Sequence, residues 1–167
     1  MNFVKTQRVN QYSKLFLFFT SVFDNLVSID YSFSFSLEQQ KFAYTMKNLG
    51  IYSDVIDISI KEEIVKFCEK GEIGEGEFIW KKEHLLSFKY TEEECTSAHS
   101  LAFLLWVDKM TQVLSKSDPI QFNIKTDHPI RIETNFLQLG NSSLLFFLAP
   151  RIPEAELSDD DEDMDDF

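Results

Sequence analysis

A proline that follows an apolar run near the C-terminus constrains the fold of this 167-residue chain more than any other feature. Residues 143–149 have the composition of a strand, and Pro150 cannot continue it, because proline has no N–H for a sheet hydrogen bond. The strand therefore leaves Phe147, Leu148 and Ala149 at its exit, which suits a surface groove. Since side chains alternate along a strand, only one of Phe147 and Leu148 can point into the core.

The formal net charge of −12 is concentrated at the C-terminus. Nine of the 28 acidic residues lie after residue 153, which leaves 19 acidic and 16 basic residues, a net charge of −3, in the rest of the chain. Residues 153–167 have few apolar side chains to bury and repel one another, so they are predicted to form a disordered acidic tail. The nearly balanced remainder permits contact with DNA through local positive faces without requiring it.

The overall composition is typical of a globular intracellular protein. An apolar fraction of 44% is enough for one sizeable core. The longest apolar window near the start, residues 15–19, is too short to span a bilayer and lacks a signal-peptide cleavage site, so no membrane partner is expected. Cys68 and Cys95 have no metal-ligand spacing and are expected to be buried thiols in a reducing compartment.

Hydrophobic periodicity predicts two helices. Phe42, Met46 and Leu49 recur at helical spacing and are followed by Gly50, which predicts a helix over residues 38–49. A second helix is predicted over residues 97–114, with Ser97 as its cap. The residues expected on its apolar face are Leu101, Leu104, Leu105, Val107, Val113 and Leu114.

The strand signals place these helices in an α+β fold. Residues 31–37 alternate aromatic or aliphatic side chains with serine, which is the clearest strand pattern in the chain. Further strands are predicted at residues 54–60, 64–68, 78–80, 85–90, 120–125, 130–136 and 144–148. This order predicts antiparallel sheets with the two helices on one face.

No catalytic constellation stands out in the sequence. His84, His99 and His128 lack metal-ligand spacing, and neither a Gly-x-Ser-x-Gly elbow nor a phosphate-binding loop is present. Asp127 and His128 fit a turn better than a catalytic pair. The chain is therefore predicted not to be an enzyme, with no catalytic residue, no metal and no cofactor.

Several motifs resemble, in order, those of the proliferating cell nuclear antigen family of DNA sliding clamps, mainly its C-terminal domain. They are Tyr31-Ser32, Phe42-Ala43, Gly71-Glu72-Ile73-Gly74 with Gly76, Asp127 with Pro129, and Leu148-Ala149-Pro150. The resemblance implies a clamp domain over residues 29–152, preceded in residues 1–28 by a remnant of the first domain and the interdomain connector. Most of the first domain is absent from the sequence. Truncation of a two-domain subunit is favoured over a half-clamp that assembles differently.

The resemblance also implies three kinds of site. Lys47 lies at a basic position of the family and would face double-stranded DNA. Lys41 on the same helix and Lys109 on the second helix are further candidates, although Lys109 is not at a basic position of the family. Spacing alone favours solvated helix residues for all three lysines. A partner groove would take short aromatic-ended peptides of DNA polymerase and repair proteins, and its walls would be Leu26, Pro129, Phe147, Leu148, Ala149 and Pro150. An edge strand would meet another clamp subunit through Ile73, Glu75, Glu77, Phe78 and Trp80. For Phe147 and Leu148 a purely structural role in the core remains the alternative.

These sites imply a nuclear processivity factor that encircles DNA and recruits replication and repair proteins. The alternative function is an acidic interaction protein or a chaperone of basic partners, with a clamp-like fold but without DNA encirclement. Deletion of the acidic tail separates the two, because only the second function requires the tail for binding.

Overall fold

The computed structural model describes Leu26, residues 28–136 and residues 142–151. The chain divides into two units, Met1–Tyr31 and Ser32–Phe167, and the fold described below is that of the second unit. Its strands are β1 (Phe33–Glu38), β2 (Val55–Lys61), β3 (Ile64–Gly71), β4 (Gly74–Lys81), β5 (Ser87–Tyr90), β6 (Glu94–Ser100), β7 (Pro119–Ile124), β8 (Ile130–Phe136) and β9 (Ser142–Leu148). Its helices are α1 (Gln39–Asn48) and α2 (Leu101–Thr111), with a short 3₁₀ turn at Lys82–His84.

The strands form two antiparallel sheets. One has five strands in the order β5-β1-β7-β8-β9, and the other has four in the order β4-β3-β2-β6. The alternation in β1 places Phe33, Phe35 and Leu37 in the core, where each is at most 2% exposed. The predicted α+β fold, with antiparallel sheets and two helices, is confirmed.

Both helices bury one apolar face and pack against each other. In α1, Phe42 and Met46 are buried, and Leu49 is buried directly after the helix. Gly50 has a φ of 96°, a conformation that glycine adopts without steric cost, and it ends the helix as predicted. In α2 the buried residues are Leu101, Leu104, Val107 and Thr111.

Four phenylalanines join the two sheets to α1. Phe35 of β1 and Phe122 of β7 stack with ring centroids 5.0 Å apart. Phe67 of β3 meets Phe122 edge-on at 6.2 Å, and Phe42 of α1 meets the same ring at 5.4 Å. All four side chains are completely buried, so Phe122 lies at the centre of the core.

The glycines of the β3–β4 hairpin make room for the chain after α1. A Cβ on Gly71 would lie 1.8 Å from the backbone oxygen of Tyr52, and one on Gly74 would lie 2.8 Å from the Tyr52 ring. The buried carboxylate of Glu69, in the preceding strand, accepts hydrogen bonds from the N–H groups of Gly50 (2.5 Å) and Ile51 (3.4 Å). Close backbone approach therefore explains the glycine pattern of this hairpin.

The predicted start of the second helix is wrong. Ser97 lies in β6, a strand that was not predicted, and α2 begins at Leu101. Cys95, Ser97 and His99 point into the core at alternate positions of β6. These small or polar side chains do not give the apolar alternation by which a strand is predicted. Val113 was predicted on the buried face of the helix, yet it lies beyond the end of α2 and is 74% exposed.

We expect Phe122→Ala to lower the free energy of unfolding by about 3–5 kcal/mol, because it removes a ring shared by both sheets and α1. The matched control is Phe103→Ala on α2, where the side chain is 64% exposed and the change should stay within about 0.5 kcal/mol. Urea denaturation followed by tryptophan fluorescence measures both. Equal losses for the two variants would contradict this account of the core.

Candidate functional site

The exit of β9 places consecutive residues on opposite sides of the five-stranded sheet. Leu148 is 7% exposed and belongs to the core, whereas Phe147 points to the opposite face and is half-buried. Ala149 is exposed and Pro150 is half-buried. Pro129 is half-buried directly before β8, and β8 pairs Arg131 with Phe147 and Ile130 with Leu148. The structure therefore brings Pro129, Phe147, Ala149 and Pro150 to one edge of the sheet, with Leu148 beneath them.

Two hydrogen bonds attach this exit to the other sheet. The N–H of Arg151 donates to the carbonyl of Ala98 in β6 at 2.8 Å. The Nδ1 of His99, also in β6, lies 3.2 Å from the carbonyl oxygen of Ala149. Because β6 is an edge of the four-stranded sheet and β9 an edge of the five-stranded sheet, residues 149–151 connect the two sheets.

The hydrogen bonds of His99 define its neutral tautomer. A carbonyl oxygen only accepts, so Nδ1 carries the proton, and Nε2 accepts from the Ser97 hydroxyl at 2.8 Å. The side chain is completely buried. Burial lowers the pKa of His99 below its ordinary value of 6.5, and the hydrogen bond to the Ala149 carbonyl opposes this shift. Sequence reasoning missed this anchor because Ala149 lies 50 residues further along the chain.

Leu26, the groove residue predicted from the connector, is half-buried in the first unit.

The three predicted DNA-facing lysines differ in their surroundings. The Nζ of Lys41 donates to the carbonyl of His84 at 2.8 Å and lies 3.6 Å from a Glu38 carboxylate oxygen. Lys47 is exposed in the last turn of α1, and Lys109 is exposed in the last turn of α2. Lys41 is thus held by its own chain, whereas Lys47 and Lys109 extend from the helix ends.

The solvent face of α2 is largely apolar. Phe103 is 64% exposed, Trp106 52% and Met110 40%, and Val113 continues this line beyond the helix. Their spacing places them on one side of the helix. Trp106 meets Phe146 of β9 edge-on at 5.7 Å. This surface was not predicted from the sequence, because the predicted apolar face of the helix comprised other residues and no role was assigned to Phe103, Trp106 or Met110.

The strand predicted to meet another subunit is an edge strand. Among the described strands, β4 pairs only with β3. Glu75 and Glu77 are exposed on its outer face, while Phe78 and Trp80 pack against the core. Trp80 donates from Nε1 to the Thr45 hydroxyl at 3.2 Å. Ile73 lies in the turn before β4 and is 82% exposed.

The described part of the chain has neither a cluster of metal-ligating side chains nor a membrane-spanning helix. Within it, no group of three or more His, Cys, Asp or Glu side chains is arranged to hold a metal ion. None of the helices described there has the length and apolar character needed to cross a bilayer.

Two antiparallel sheets and two helices are the architecture of a DNA sliding-clamp domain. The family model described as "Proliferating cell nuclear antigen, C-terminal domain" matches residues 25–152, so the chain belongs to the proliferating cell nuclear antigen family. The resemblance stated from the sequence motifs is confirmed. Clamps of this family are scaffolds without enzymatic activity, which agrees with the prediction that the chain is not an enzyme.

Individual proteins that are similar to this chain carry the same family name or share its fold. Proliferating cell nuclear antigen of Saccharomyces cerevisiae is 24% identical over 155 residues, which are 91% of this chain and 59% of the yeast protein. Two solved structures share the fold, at TM-scores of 0.64 and 0.65. They are the clamp of Thermococcus kodakaraensis (19% identity; 74% of this chain and 49% of that chain) and the A. fulgidus clamp bound to the C-terminal region of FEN-1 (18% identity; 75% and 49%). The chain thus spans about half to three-fifths of the length of these relatives.

We expect the stability of the protein to fall more steeply below pH 6.5 than that of a His99→Asn variant. The unfolded chain binds a proton at His99 near this pH, but the folded chain resists it because the pKa is lowered, so this contribution is complete above pH 6.5 and is lost as the pH falls. Asparagine keeps an N–H donor near Nδ1 and does not titrate. Urea denaturation at about pH 7.5 and about pH 5 measures the difference, and parallel pH dependences would contradict it.

Proposed function

We propose that this chain acts as a sliding-clamp subunit, a processivity factor that binds double-stranded DNA without sequence specificity and recruits DNA polymerase and repair proteins. The observation that carries the proposal is the family match over residues 25–152. The exposed Ala149 and half-buried Phe147 at the exit of β9 support it. The proposal needs no cofactor and no chemistry by the chain itself. A nuclear location is part of the same proposal.

Partner binding would occur at the exit of β9. Phe147 and Pro129 offer apolar surface, Ala149 leaves space beside them, and Leu148 supports them from the core. The hydrogen bonds of His99 and Arg151 hold this segment in place before any partner arrives, which reduces the entropy lost on binding. An aromatic side chain of a short peptide would supply most of the binding energy there. The A. fulgidus clamp with its bound FEN-1 segment is a precedent among the structural relatives.

DNA contact would be weak in a single copy of this chain. Lys47 and Lys109 are the exposed candidates, because Lys41 is bonded to the His84 carbonyl. Few phosphate contacts imply a low affinity with a shallow salt dependence. A ring of several subunits would multiply these contacts, and the open edge of β4 is the proposed surface between subunits.

The domain boundaries follow from the same proposal. Residues 1–28 would be the end of a first domain and the connector, residues 29–152 the clamp domain and residues 153–167 an acidic tail. Either a longer two-domain subunit or a half-clamp assembled from more copies would complete the ring.

The second candidate function is an acidic interaction protein or a chaperone of basic partners, and the net charge of −12 favours it. Unlike the clamp function, this second function requires the acidic tail for partner binding. A chain that lacks residues 153–167 should keep its groove affinity if it is a clamp, and should lose partner binding if it is a chaperone of this kind.

We expect Ala149→Glu to weaken binding of a short aromatic-ended peptide by about tenfold, since a charged side chain would fill the exposed space beside Phe147. The matched control is Ala102→Glu, an exposed alanine in the first turn of α2. Fluorescence anisotropy of the labelled peptide measures affinity, and thermal unfolding checks that both variants fold. An equal affinity for the two variants would refute this groove.

We expect Lys47→Glu to weaken binding to duplex DNA and to reduce the slope of log K against log salt by about one unit. Lys70→Glu is the control, because Lys70 is exposed on β3 and its substitution changes the net charge by the same amount. Anisotropy of a labelled duplex over a salt series gives both slopes. If Lys70→Glu changes the slope as much as Lys47→Glu does, α1 is not the DNA-facing surface.

A further inference from the structure

A cleft of about 470 Å³ opens at the edge of the five-stranded sheet opposite to the β9 exit. It lies between the start of β1, strand β5, the β2–β3 turn and the loop before β6. Strand β5 is separated from β9 by four inter-strand spacings, about 19 Å. The cleft is therefore distinct from the proposed partner groove, and its volume is within the usual range of ligand sites.

Three aromatic rings line the cleft. Phe33 and Tyr90 are cross-strand partners and stack with centroids 6.3 Å apart and an interplanar angle of 13°. Phe88 meets the Tyr90 ring at 5.6 Å. Phe33 is buried, Phe88 is half-buried and Tyr90 is 53% exposed, so the Tyr90 ring is the most accessible of the three. The electron-rich faces of such rings attract cations.

The charged residues of the cleft are predominantly acidic. Glu62, Glu63, Glu93 and Glu94 line it together with one cation, Lys61. Lys61 pairs with Glu94 at 3.0 Å, and Glu63 pairs with Lys82. Within the described residues neither Glu62 nor Glu93 forms an ion pair with a basic side chain. Two carboxylates thus remain available beside the aromatic rings.

The carboxylates of the cleft already affect the pKa of Lys61, the basic residue that lines it. The hydrogen bond to Glu94 and its charge raise the pKa of Lys61, and the charges of Glu62 and Glu93 act in the same direction. The local electrostatic field therefore favours an ammonium group.

We propose that this cleft binds a lysine or arginine side chain presented by an extended basic peptide of a partner protein. The Tyr90 ring supplies a cation–π contact, and Glu62 and Glu93 supply the opposite charge. A peptide is the favoured source, because β5 pairs only with β1 among the described strands and so has an open edge for an added strand. A free alkylammonium ion would lack those backbone hydrogen bonds.

The probe is a labelled ten-residue peptide of alternating lysine and serine, compared with the same peptide after acetylation of its lysines. We expect only the charged peptide to bind, and we expect Tyr90→Leu to weaken it roughly three- to tenfold while Tyr90→Phe, which keeps the aromatic face, binds as the unchanged chain does. Fluorescence anisotropy at low salt measures each affinity. The Tyr90→Phe variant also keeps the test valid if Tyr90→Leu folds poorly.

Two double variants that remove the same charge distinguish binding in the cleft from attraction by the overall negative charge of the protein. Glu62→Gln with Glu93→Gln should weaken the peptide, whereas Glu72→Gln with Glu75→Gln, at exposed positions of the β3–β4 hairpin, should not. Equal effects of the two pairs would overturn the proposal, and so would loss of binding on deletion of residues 153–167.

Butylammonium that binds as tightly as the peptide would overturn the peptide source. The Ala149→Glu groove variant should leave this affinity unchanged, so failure here is distinct from failure of the clamp proposal.

Discussion

The contacts around the Phe122 ring are the packing constraint on which the rest of the structure depends. This ring meets Phe35 within its own sheet, Phe67 in the other sheet and Phe42 in α1, so one buried side chain fixes three layers relative to one another. The stacked Phe35–Phe122 pair is also a cross-strand pair, which fixes the register of β1 against β7. With these layers fixed, the outer strands of the two sheets have defined positions. The β9 exit, the β4 edge and the cleft beside β5 all lie on those outer strands.

The exit of β9 shows how this core positions a surface. Leu148 belongs to the core, so the alternation of the strand places Phe147 on the opposite face. The chain then leaves the five-stranded sheet and is held by β6 of the other sheet, through His99 to Ala149 and Ala98 to Arg151. A buried neutral histidine is a suitable anchor because its Nδ1–H satisfies a carbonyl without burying a charge. The proposed groove is therefore supported by both sheets.

The sequence was sufficient where apolar periodicity was strong and insufficient where polar side chains were buried. The alternation from Phe33 to Leu37 and the helical spacing of Phe42 and Met46 predicted β1 and α1 within two residues. Strand β6 was missed because Ser97 and His99 are buried through hydrogen bonds to each other and to a distant carbonyl, which no local pattern encodes. The burial of Glu69 could not be predicted from the sequence either, because its partners are backbone N–H groups 19 and 18 residues away. Such residues are buried because tertiary contacts satisfy them.

The distribution of charge indicates which part of the proposed clamp function this chain is best suited to perform. On α2 the exposed residues Phe103, Trp106 and Met110 carry no positive charge that could contact phosphates, and Lys109 is the basic residue of this helix. A line of exposed aromatic residues of this kind is uncommon on isolated domains. Meanwhile the two opposite edges of the five-stranded sheet carry an apolar exit and an acidic aromatic cleft. Under the proposed clamp function, these features suit contacts with proteins better than contacts with DNA. DNA retention would then depend on encirclement by an assembled ring and not on contacts within one subunit.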